Sequence, residues 1–305
     1  MIFLKTEKGH EKLIKWEDVS TRPLFIDKLP KGEYKLSHII GYYEMKKEIH
    51  CALSTCNQPH GKGYIVQTQE GFETNIGNHC GKNIFGIEFE SHTKEFDKYK
   101  ENEERKTDIL SAKNQINIWR RILENLRFKG KDILWATTKI EQLLNAHHSG
   151  RAGAMEMRSL SKTQDPVISI DIKDIDPKLK ELLFLFNKKY RESGEALSSE
   201  VIGKIKNLHV LITENNMKIR HNTIYENIKA IEACDLTDTP SPVLLDLSQK
   251  ANLLNTDIKQ LTQLFKDAKT FLQQKNLSPV LEKLQRMDSV PESECNKFQE
   301  FLNEL

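Results

Sequence analysis

Three of the chain's five cysteines and two of its ten histidines fall within residues 51 to 86, CALSTCNQPHGKGYIVQTQEGFETNIGNHCGKNIFG. Thiolate and imidazole are the donors zinc prefers, and a structural zinc takes four of them. Cys51, Cys56 and His60 are separated by four and three residues, and 19 more precede Cys80. Cys51, Cys56, His60 and Cys80 are therefore the expected ligand set, with zinc as cofactor and His79 as an alternate for His60 or Cys80. Gly61, Gly63, Gly77, Gly81 and Gly86 provide the sharp turns that so small a site needs.

The elements that must position these donors follow from local pattern. YKLSHIIGYY has the aromatic and β-branched residues of a strand. Residues 64–69 and 72–77 form the arms of a predicted hairpin turning at Glu70-Gly71, and helical character begins after Gly81. A ligand-bearing loop, a hairpin and the start of a helix sharing one metal resembles a treble-clef zinc finger of CCHC type. The resemblance is confined to residues 51–86. The first pair is spaced by four residues where the family has two, and Cys80 stands alone where the family places two ligands. Four protein ligands leave no open position, so such a zinc stabilises a fold and does not activate water.

Three other chemistries compete for this stretch. The cysteines could be plain strand core, as Cys51 beside Ala52 and Leu53 would allow. GNHCGK has three residues between its glycines where a phosphate loop has four, and Asn83 where that loop has Ser or Thr, so no nucleotide cofactor is expected. Cys80 at a helix start could be a nucleophile, but adjacent residues diverge on a helix, which makes His79 a poor base for it.

Further along, residues 93–127 lack Gly and Pro and predict one long helix or two in series, the second half striped by Ile109, Ile116, Trp119, Leu123 and Leu126. Another helix follows Gly130. Residues 149–166 look like a linker or mobile loop, and Ile168, Ile170 and Ile172 alternate as in a short strand. Asp176-Pro177 starts a helix, with Ser193-Gly194, TDTPSP, Ser278-Pro279 and Val290-Pro291 as later breaks. Ile202, Ile205, Ile212 and Ile219 fit a short heptad seam of coiled-coil type carrying His209 and Asn216. The expected fold is mainly α: a zinc-stabilised α+β module over 1–92, a long helix or helical hairpin over 93–148, a linker with a short strand over 149–176, and an all-helical region over 177–305.

Lys and Arg number 46 against 44 Asp and Glu, so global charge does not call for nucleic acid. Between residues 113 and 162, however, ten basic residues face four acidic ones. Lys113, Arg120, Arg121, Arg127, Lys129 and Lys131 are the candidate phosphate contacts, although an ordinary solvated helix face has the same composition. MIFLKTEKGHEKLIKWED is too charged for a signal peptide and no run approaches a membrane span, so a cytoplasmic protein with reduced thiols and no membrane partner is expected. The functional expectation is a non-enzymatic recognition or adaptor protein that binds nucleic acid or a nucleoprotein complex. A protein-interaction scaffold without nucleic-acid affinity is the alternative, followed by a hydrolase using a Cys-His pair or an open zinc.

Overall fold

The structure, a computed structural model, describes residues 1–7, 9–30, 34–128, 130–172, 176–193 and 198–305. The chain divides into two compact units: residues 1–111 with 235–249, and residues 112–234 with 250–305.

The first unit is built on an antiparallel sheet. Its elements are β1 (Ile2–Thr6), β2 (Gly9–Leu13), the short α1 (Glu17–Ser20), β3 (Leu36–His50), β4 (Pro59–Thr68) and β5 (Glu73–Ile76), with strand order β2-β1-β3-β4-β5. Period-two alternation sends successive residues to opposite faces. Phe3, Tyr64 and Val66 join one buried cluster with Ile39, Leu53 and Phe89, while Ile2, Leu4 and Ile65 join the other with Val19, Ile40 and Tyr43. The hairpin turns where expected: Thr68 N donates to Phe72 O at 2.8 Å, and Gly71 takes φ +91°. Helix α2 (Asn78–Lys113) starts earlier than residue 93 and is bent at Gly86, whose φ of +58° no helical residue adopts. That bend returns Phe89 onto Gly81, where an added Cβ would run into the Phe89 ring.

In the second unit, α3 (Ile116–Leu126), α4 (Ile133–Leu143), α5 (Ala146–Ser149) and α6 (Arg151–Thr163) precede β6 (Val167–Ile172), α7 (Pro177–Phe186), α8 (Lys188–Ser193) and β7 (Ser198–Lys204). Then come α9 (Met217–Ala233), α10 (Ser241–Phe271), whose residues through 249 belong to the first unit, α11 (Gln274–Arg286) and α12 (Glu292–Asn303). Asp176 caps α7 as expected, its carboxylate accepting from Lys178 N at 3.0 Å.

Several expectations are corrected here. Residues 151–163 form a helix and not a linker, because Glu294 caps its start from far along the chain by accepting from Arg151 N and Ala152 N. Gly153 in that helix lets the Phe298 ring approach its backbone closely. The region after 177 is not all-helical: β7 pairs antiparallel with β6, matching Ile168 with Gly203 and Ile170 with Glu200. The heptad seam is not a coiled coil, since Ile202 lies in β7, Ile205 beyond it and Ile212 between two 3-10 turns, and Ile219 is 62% exposed. Pro279 lies inside α11 and does not end a helix. LPKGE (29–33) reads as a turn in the sequence, but its residues 31–33, like the expected break at Gly194, lie outside the described residues. No described helix is long and apolar enough to cross a membrane.

Candidate metal centre

The three cysteines of the opening stretch come together. Cys51 stands just past the end of β3, and the chain then turns tightly, with Cys56 N donating to Leu53 O at 2.9 Å and Asn57 in the left-handed region at φ +49°. Cys80 enters from the first turn of α2, where Gly81 N donates to Gly77 O at 2.9 Å. The sulfurs of Cys51, Cys56 and Cys80 all lie within 4.8 Å of one another. A tetrahedral metal with M–S bonds of about 2.3 Å would place its sulfurs roughly 3.8 Å apart.

Backbone amides donate to two of these sulfurs. Gly77 and Leu53 N–H groups donate to the Cys51 sulfur, and the Gln58 N–H donates to that of Cys56. Burial raises the Cys51 thiol and pushes Cys80 up to about 12, whereas the Cys80 hydrogen bond lowers Cys56. Without a metal, Cys56 is thus the most readily ionised of the three. A divalent cation supplies the positive charge that ionising the other two requires.

His60 is not one of the clustered donors. Its Nε2 is 2.6 Å from Tyr43 Oη and its Nδ1 is 3.1 Å from Gln58 O. The carbonyl can only accept, so Nδ1 carries the proton and Nε2 accepts from the tyrosine hydroxyl. Tyr43 is buried and its pKa raised by desolvation, which keeps that hydroxyl protonated. Asn75, also buried, donates to Tyr43 Oη at 3.2 Å and to His50 O at 2.8 Å, and its carbonyl accepts from Ala52 N. A polar chain thus ties His60 to the backbone that presents Cys51. Spacing gave no sign of Tyr43, Gln58 or Asn75, since their role comes from cross-strand neighbours. His79 is exposed, with Nε2 3.1 Å from Asn83 Nδ2.

Three of the expected phosphate contacts are engaged within the fold. Lys113 Nζ donates to the carbonyls of Glu232 and Cys234. Arg120 is bidentate to Glu232 at 2.8 and 2.5 Å, and Lys131 donates to Leu305 O. Arg121 and Arg127 are exposed on or beside α3, and Lys129 lies outside the described residues.

Sulfur proximity and amide donors aimed at two of the sulfurs define a cluster that can hold a metal ion. Comparison with protein families, with curated proteins and with solved structures finds no match.

Proposed function

We propose that the chain is a non-enzymatic recognition protein, in which one zinc ion fastens the first unit and the helical unit meets nucleic acid through α3. The observation that carries this reading is the convergence of Cys51, Cys56 and Cys80, with amide N–H groups directed at the sulfurs of Cys51 and Cys56. Donors of that type and number suit zinc. An imidazole completes the set. His79 has one side-chain partner to give up, Asn83, whereas His60 would have to release both Tyr43 and Gln58. The closed site then ties the loop after β3 to the start of α2 and leaves no position for water. Arg121 and Arg127, exposed and without an ion pair among the described residues, support the nucleic-acid half.

The test is zinc content together with fluorescence anisotropy of a labelled oligonucleotide across a salt series. Stoichiometric zinc and a log–log salt slope near −1 to −2, about two phosphates neutralised, are expected. Absence of zinc, or affinity indifferent to salt, refutes the corresponding half.

A protein-interaction scaffold is the second reading, favoured by α7. Leu182, Phe184, Leu185 and Phe186 are each more than half exposed on that one short helix. Loss of a co-purifying partner on Phe184→Ser/Phe186→Ser, with oligonucleotide binding absent throughout, would favour it.

A further inference from the structure

A cavity of about 380 Å³ lies in the second unit between α3 and α9. One wall is His221, 5% exposed, whose Nε2 is buried without a hydrogen-bond partner. The ring packs against the open volume with Nε2 sealed from it, so His221 forms the floor of the cavity and reports on its filling. The Leu123 backbone and the Asn222 side chain hydrogen-bond the ring, and burial lowers its pKa.

The remaining walls narrow the ligand. Arg127 is exposed and makes no ion pair among the described residues, while Arg120 is held in place by Glu232. The Tyr225 ring, 43% exposed, and Leu123 offer apolar surface, and Asn222 adds an amide. Glu124, also on the wall, disfavours a bare anion and accepts from hydroxyl or amino groups. The ligand must therefore join an anionic group to a flat ring and N–H or O–H donors.

We infer that this cavity takes one nucleotide, its phosphate on Arg127, its base against Tyr225, and its N–H or O–H groups donating to Glu124. This deepens the nucleic-acid reading and rests on it where the nucleotide belongs to a strand; a free mononucleotide has the same chemistry.

The full-length protein distinguishes these sources. Binding of a fluorescent single-stranded 12-mer is measured by anisotropy, and AMP, UMP and inorganic phosphate are titrated while the His221 imidazole signal is followed by NMR. Tyr225→Leu and Arg127→Gln, both at exposed positions, are compared after their thermal melts are shown to match wild type. Each substitution is expected to weaken the 12-mer about tenfold, from lost stacking and a lost phosphate contact. A 12-mer that binds wild type and both variants equally overturns the cavity proposal and takes Arg127 out of the α3 surface, leaving Arg121 as its phosphate contact. Mononucleotides that bind and are lost in both variants, with no 12-mer binding, support the cavity and remove the nucleic-acid reading. Inorganic phosphate moving the His221 signal as far as AMP overturns recognition of the base. Silence from every probe overturns both.

Discussion

Cys56 and Cys80 are 24 positions apart in the chain, and their sulfurs stand 2.8 Å apart as free thiols. One belongs to the loop after β3 and the other to the first turn of α2, so separating them pulls the helix away from the sheet. The metal readings all turn on that closure.

Cys51→Ser, Cys56→Ser and Cys80→Ser should each abolish zinc binding and lower the melting temperature of the first unit. His79→Ala should weaken zinc by tenfold or more, as loss of one donor does. His60→Ala should keep the zinc while losing about 1–2 kcal/mol of stability through its two hydrogen bonds. Elemental analysis by mass spectrometry with thermal melts decides, and loss of zinc in His60→Ala would transfer the fourth ligand to that residue.

Stability should depend on pH with opposite signs in the two metal states. In the metal-free protein burial keeps Cys51 and Cys80 neutral, Cys80 to about 12. Unfolded thiols ionise near ~8.5, so this contribution is complete below about pH 8.5 and is lost as pH rises towards the folded values. In the zinc form, protons compete for the ligands, and about two displaced protons give roughly a hundredfold fall in affinity per unit of acidification. Melting curves with and without a chelator between about pH 6.5 and 9.5 should diverge; parallel curves would refute metal binding by these thiols.

Gly81→Ala should destabilise the first unit by about 1–3 kcal/mol, because the added methyl meets the fully buried Phe89 ring. Phe89→Ala should remove about 3–5 kcal/mol by leaving a cavity. Combining the two should give less than the sum, since the clash disappears with the ring. Chemical denaturation of the three variants checks this, and strict additivity would mean that the ring does not rest on Gly81.

The Arg22 guanidinium pairs with Glu73 at 2.6 and 2.9 Å, and the Glu73 side chain is only 6% exposed. Arg22→Met leaves a buried carboxylate and should cost about 1–3 kcal/mol, below the range for a fully enclosed pair because Arg22 is 36% exposed. Adding Glu73→Gln should recover part of that loss in denaturant melts. No recovery would mean that Arg22 acts by packing alone.

What the sequence revealed was local. Glu70-Gly71 marked the hairpin and Asp176-Pro177 the start of α7, because each encodes its own backbone geometry. The cysteine cluster was visible because residue type carries the chemistry. Helix α6 was hidden by its Gly, Ser and Met content, and its cap comes from Glu294. Strand β7 was hidden because its partner lies on the far side of α7 and α8. His60 fits a ligand by spacing, but the register pairs it with Ile49 and Tyr43 with Gly63, and the Tyr43 hydroxyl reaches its ring only through the folded sheet. The isoleucine spacing from 202 to 219 suggested one helix where a strand, turns and a helix follow one another.

Residues 235–249 complete a unit that otherwise ends at residue 111. Asn102 and Arg105 meet Ser241, and Asp108 meets Ser248, so the second half of α2 gains these partners only after residues 112–234 have been made. At ~5–20 residues per second that delay is on the order of ten seconds on the ribosome. Cys51, Cys56 and Cys80 all emerge before it, so early metal capture would protect the nascent sheet while α2 waits for the chain to return.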